Sequence, residues 1–170
     1  MDEMRDARGN EGNGSEGQPW VAPLQRMDAA LAGRDGLSAE LAWHEGCGAA
    51  LRTESWEAML AVGDAYRRID AAADDVADDG ADVLASQLYR SALARARRQE
   101  SVEGLLRVAE RLATLGDRAG MKQTLKIADH IAEQAQDMMG RFRVRTLKAR
   151  LAGMAERVAA ARERLAPSAA

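Results

Sequence analysis

From Trp20 onward, apolar residues recur at steps of three and four, the spacing that lays one apolar stripe along an α-helix. Polar and small residues interrupt these runs, and the interruptions carry helix start and stop chemistry. "GRDGLS" (Gly33 to Ser38) ends one run and offers Ser38 as the N-cap of the next. "RTES" (Arg52 to Ser55) restarts the chain with Thr53 or Ser55, and Ser101 in "RRQES" can cap a run that begins "VEGLL". "LGDRAG" reads as a tight turn between helices, with Gly116 suited to the left-handed position that closes one. The pattern predicts helices near 22–32, 38–51, 55–71, 81–99, 102–115 and 118–137, then a long one over 141–165. Six of these fall into consecutive antiparallel hairpins.

Composition agrees with an all-α fold: alanine, arginine and leucine dominate the 170 residues, and β-branched residues are few. The length suits one domain able to bury a core without disulfides or metals. Residues 1–18 hold four glycines with scattered charge and too little apolar surface to offset the entropy of ordering, so they are expected to be a flexible tail. The expected organisation is a tail at 1–18, helical hairpins at 19–137, a capping or coiled-coil helix at 138–166, and a short tail at 167–170. The N-terminus lacks a secretory pattern and nowhere do about 18 apolar residues follow one another, so a soluble cytoplasmic protein with no membrane span is expected. Cys47 is the only cysteine, which excludes an intrachain disulfide and a cysteine-cluster metal site.

Net charge is only -3, but it is unevenly spread. Between Arg68 and Arg90 no base occurs while Asp70, Asp74, Asp75, Asp78, Asp79 and Asp82 accumulate; "RFRVRTLKAR" (Arg141 to Arg150) has five bases and no acid. The folded molecule is expected to be electrically two-sided.

One stretch shows more than helical periodicity. In "VAERLATLGDRAGMKQTLKIA", the order is Val108-Ala109, Leu112, Gly116-Asp117, then Met121, Leu125 and Ala128. Upstream, Trp56, Val62-Gly63 and Tyr66 precede Ala85, Tyr89 and Ala92; a fainter trio is Ala39, Trp43 and Gly46. This resembles the tetratricopeptide repeat (TPR), a helix pair with large-small-large positions on its first helix and a small-large-small trio on its second. Met121 departs from it by standing where the family has Ala. Gly63 and Ala109 lie 46 positions apart against a TPR period of about 34, so the Asp-rich segment reads as an insertion. The resemblance covers roughly residues 22–136 and implies two to three stacked hairpins whose first helices line a concave surface that holds a helix or an extended segment of another protein. It implies that Glu57, Leu60, Asp64, Arg67 and Arg68 from one pair, with Glu103, Leu106, Arg107 and Glu110 from the next, face that groove. Their mixed charge does not suit capture of a chain-terminal carboxylate.

In the last helix Val144, Leu147, Leu151, Met154, Val158, Ala161 and Leu165 alternate steps of three and four, a heptad seam. It fits a helix that caps the open end of the stack, or a self-association seam through Val144, Leu147, Leu151, Met154, Val158 and Leu165 that makes a homodimer. The solvent face of this helix is basic, but only Phe142 interleaves the bases and the overall charge is acidic, so nucleic acid is not the expected partner.

Catalytic chemistry finds little support. Glu40, His44 and Cys47 share a helix face, yet His130 is the only other histidine and no base is placed to orient the thiol, so packing or surface roles are the default. The Asp-rich segment lacks the alternating oxygens and final Glu of a calcium loop. No cofactor is expected. Trp20, where the tail meets the fold, is the aromatic to suspect of an exposed contact, although docking in the core is the ordinary fate of such a residue. The sequence therefore points to a non-catalytic adaptor, assembly factor or chaperone. The alternative is a regulatory subunit or small-molecule sensor built on a helical bundle, which would need a dry apolar cavity between helices.

Overall fold

The computed structural model describes residues 18–73 and 79–165. They form seven helices and no strand: α1 (Val21–Ala32), α2 (Gly36–Leu51), α3 (Trp56–Ala72), α4 (Asp79–Arg98), α5 (Val102–Thr114), α6 (Arg118–Gln134) and α7 (Met138–Leu165). The all-α class and the number of helices follow the apolar pattern. The expected tails and the middle of the Asp-rich segment lie outside the described residues.

Four connections are built as one three-residue joint. Its middle residue takes a left-handed φ: Arg34 (58°), Glu100 (51°), Gly116 (76°) and Gln136 (52°). The residue after it donates its backbone N–H to the carbonyl five positions back, as Asp35 does to Ala30 and Ser101 to Ala96 (2.9 Å each), Asp117 to Leu112 (2.9 Å) and Asp137 to Ala132 (2.8 Å). That is the Schellman closure of a helix C-terminus. The same residue opens the next helix, its side chain accepting the N–H three positions ahead: Asp35 from Ser38 (3.0 Å), Ser101 from Gly104 (3.0 Å), Asp117 from Gly120 and Asp137 from Gly140 (2.8 Å each). This double duty corrects two expected boundaries. Ser38 is not a cap but the donor to Asp35, so α2 starts at Gly36. Asp137 closes α6 early and opens α7 at Met138 instead of 141.

The connection from α2 to α3 is different. Ser55 caps α3 by accepting from Ala58 N–H (3.1 Å), and Arg95 at the end of α4 donates to the carbonyls of Ala50 (3.0 Å), Leu51 (3.4 Å) and Ser55 (3.1 Å). A guanidinium on the carbonyl end of α2 answers both its unpaired acceptors and its negative dipole end.

Each helix packs on the next, and each odd-numbered helix also touches the following odd one: α1 on α3, α3 on α5, α5 on α7. No two even-numbered helices make a comparable contact among the described residues. The odd helices therefore lie side by side on one face, with the even helices behind them. Closest approaches occur where glycine meets a large side chain. A Cβ on Gly63 would lie 2.6 Å from Tyr89, and one on Gly104 2.8 Å from both Trp56 and Ala96, so α3–α4 and α5 against its neighbours pack at backbone contact.

The large-small-large and small-large-small residues read from the sequence are the core. Val62, Val108, Ala109, Leu112, Ala85, Tyr89, Ala92, Leu125 and Ala128 are buried, while Met121 packs at its edge. Fully burying each of the larger ones contributes about 1.5–3 kcal/mol. Trp20 belongs to the same cluster and is buried, not an exposed contact. Trp43 is buried with its indole N–H donating to the Val62 carbonyl at 3.0 Å, which relieves the penalty of a buried donor.

Candidate protein-binding groove

The residues expected to line a groove belong to α3 and α5, and the structure does place these helices on one face. It uses most of those residues to join neighbouring helices. Leu60 and Leu106 are core residues, only 6% exposed each, because adjacent odd helices cover the flanks of one another. Arg68 pairs with Asp28 of α1 (3.0 Å). Asp64 accepts from Arg111 Nε of α5 (2.7 and 2.9 Å) and from the Tyr89 hydroxyl of α4 (2.7 Å). Burial and the Asp64 carboxylate together push the Tyr89 phenol well above its ordinary range, and Asp64 raises the Arg111 guanidinium further. Arg67 donates to the Thr114 hydroxyl at 3.3 Å. Of the α3 set, Glu57 alone does not reach another helix; it accepts from Ser55 Oγ (2.6 Å).

The α5 set meets α7. Glu103 pairs with Arg143 and also accepts from Arg107 (2.7 Å); Glu110 pairs with Arg150. The Arg107 guanidinium stands 5.8 Å above the Trp56 ring, so this side chain braces α3 against α5 as well. The four α5 residues nevertheless border a real depression. A groove of about 270 Å³, open to solvent, runs between α5 and α7, with Leu106 and Leu147 at its apolar base and Phe142 and Thr146 on the α7 side.

Phe142, which the sequence offered only as an aromatic among the bases of α7, is the exposed anchor of this groove. It is 63% exposed, and Met138 (74%) and Met139 (68%) stand one turn before it. The signal was present: Phe142 lies off the Val144–Leu147–Leu151 seam, where a coiled coil or a cap places polar residues. The structure turns the first part of that seam inward, as a capping helix would. Val144 and Leu147 are buried in this chain's own core, Leu151 is half-buried against it and Met154 is exposed. Val144 and Leu147 are thus unavailable for self-association; the side chains of Val158 and Leu165 lie outside the described residues.

The other candidate chemistry stays dispersed. His44 lies edge-on to Trp43, Glu40 is exposed, and burial raises the half-buried Cys47 thiol above its ordinary pKa, which disfavours the thiolate a nucleophile needs. No group of three His, Cys, Asp or Glu is placed to hold a metal ion, and no helix is long and apolar enough to cross a membrane, among the described residues. No protein-family model, curated protein or solved structure matches the chain.

Proposed function

We propose that this chain is a non-catalytic protein-interaction module, a TPR-like stack of hairpins that holds a helix or extended segment of a partner on its odd-helix face. The observation that carries this reading is the α5–α7 groove, where exposed Phe142 stands beside an apolar base of Leu106 and Leu147. The alternating packing supports the stack, since odd helices side by side are what a concave repeat face requires. Because the rim charges are already paired within the chain, binding would rest on a few apolar anchors, with Phe142 foremost. The groove's openness to solvent suits a segment better than a sealed small-molecule chamber. Adaptor, assembly factor and chaperone are all uses of such a face.

A photo-crosslinking residue in place of Phe142, compared with one in place of exposed Leu41 on α2, tests the proposal in extracts of the native host. One partner captured at position 142, not at 41, and absent from pull-downs with Phe142→Glu protein of unchanged melting temperature supports it. Equal capture at both positions, or a partner that survives Phe142→Glu, overturns it. Self-association, if it occurs, would use the seam beyond Leu151, so Met154→Glu is the informative variant; cutting the chain at 140 would strip Val144 and Leu147 from the core.

A further inference from the structure

The even-numbered side of the molecule carries charge of a different kind. On α6, Arg118, Lys122, Lys126 and His130 follow one another at intervals of four, all exposed. The acids of this region are engaged elsewhere: Asp117 with Arg90 of α4 (3.6 Å), Asp129 with Lys148 of α7 (2.8 Å) and Glu133 with Arg141 of α7 (3.9 Å). Arg118, Lys122 and Lys126 form a cationic ridge, continued by His130, with no acidic partner among the described residues, and like charges at this spacing destabilise a helix. Its middle and end border an open cavity of about 380 Å³ between the end of α4 and α6. There Arg97, Lys126 and His130 surround half-buried Ile127 and Ile131, with Glu100 at one side.

We propose that this ridge and cavity are a docking site for an acidic peptide segment of a partner protein, its carboxylates along the ridge and one apolar side chain over Ile127 and Ile131. The site is separate from the α5–α7 groove and does not depend on it. Residues four apart on a helix rise about 6 Å, while alternate side chains of an extended peptide stand about 6.7 Å apart. Acids at every second position therefore keep pace with the ridge over its whole length. A nucleic acid fits less well: no aromatic residue borders the cavity for base stacking. A bilayer surface fits less well too, because large apolar side chains must stand beside the bases, whereas Leu125 is buried and Ile127 and Ile131 pack against the core.

Fluorescence anisotropy on the full chain decides the matter, with a labelled Asp- and Leu-alternating peptide, a single-stranded oligonucleotide and phosphatidylserine vesicles as probes. The peptide should bind, more weakly as salt rises. Lys122→Glu with Lys126→Glu should weaken it by roughly tenfold or more, Arg97→Glu should weaken it from the opposite wall, and Phe142→Glu should leave it unchanged. The double variant should also melt no lower than the parent, since it turns the Arg118–Lys122 repulsion into an i,i+4 attraction and leaves one like-charge pair, 122 with 126, as before. Loss of affinity without loss of stability separates a binding ridge from a structural one. Tighter binding of the oligonucleotide or vesicles, no peptide binding, or peptide binding indifferent to both charge reversals would overturn the proposal.

Discussion

Replacing Gly63 with alanine measures how tightly the stack is closed. A Cβ there would stand 2.6 Å from Tyr89 Cε1, 3.0 Å from its Cδ1 and 3.4 Å from Leu88 Cβ, where carbon atoms prefer about 3.5–4.0 Å. The ring cannot swing aside freely: Tyr89 is fully buried, and its hydroxyl is held by Asp64, which Arg111 holds in turn. Overpacking of this kind costs about 1–3 kcal/mol, against a gain of about 1 kcal/mol when alanine replaces glycine inside a helix. The expected net effect is a loss of up to about 2 kcal/mol. Gly48 in α2 is the control, because a Cβ there meets only the tip of Arg52 at 3.7 Å, so Gly48→Ala should gain about 0.5–1 kcal/mol. For a domain of this size 1 kcal/mol moves the melting temperature by about 3 °C, so calorimetry should show the two alanines shifting it in opposite directions. In a Tyr89→Leu background the cost at position 63 should shrink, giving a coupling in the double-mutant cycle. Shifts of the same sign at 63 and 48, or no coupling to position 89, would refute the close packing of α3 on α4.

Tyr89→Phe removes the hydroxyl from Asp64 while leaving the Arg111 pair, and should cost about 1 kcal/mol in urea unfolding. Gln136→Gly should stabilise the protein and Gly116→Ala destabilise it, each by roughly 1 kcal/mol or less, because both positions hold a left-handed φ that glycine adopts without strain; thermal melts of the pair check the sign. The Lys148 ammonium at 2.8 Å holds the Asp129 carboxyl below its ordinary pKa. The unfolded chain therefore binds the proton more readily, and the pair's contribution is present above the usual carboxylate range and fades as pH falls below about 4. Both partners are more than a third exposed, which limits the effect to a fraction of ~1 kcal/mol; Asp129→Asn should lose that much at pH 7 and decline less steeply in acid.

What the sequence disclosed was local. Caps, the left-handed glycine at Gly116 and the buried trios are dictated within a few residues, and each helix appears where the apolar spacing places it. The two boundary errors also have a local cause: one residue, Asp35 or Asp137, both ends a helix and begins the next, a duty that no single cap rule encodes. What stayed hidden was which neighbour covers each helix face. Leu60 and Leu106 carry the same periodic signal whether they meet solvent, a partner or another helix of the chain, and only the packing of odd helices decides that they are core. Phe142 was hidden for the opposite reason, since the seam beside it drew α7 towards a role as a cap or coiled coil.

The charged residues make the same distinction at a larger scale. Asp28–Arg68 joins α1 to α3, Asp64–Arg111 joins α3 to α5, and Glu103–Arg143 with Glu110–Arg150 joins α5 to α7. Every contact between successive odd helices thus carries an ion pair, at residues that looked free to meet a partner. Apart from the part-buried Asp64–Arg111, such surface pairs contribute little stability, ~0–1 kcal/mol each, so their value lies in fixing which turns of neighbouring helices face each other. A charge that finds its complement within the chain sets the geometry of the stack. A charge without one, as along α6 from Arg118 to Lys126, raises the energy of the folded protein and remains available to something outside it. On that physical ground the site proposed on the odd face would recognise its partner by shape and apolar contact, and the site proposed on α6 by charge.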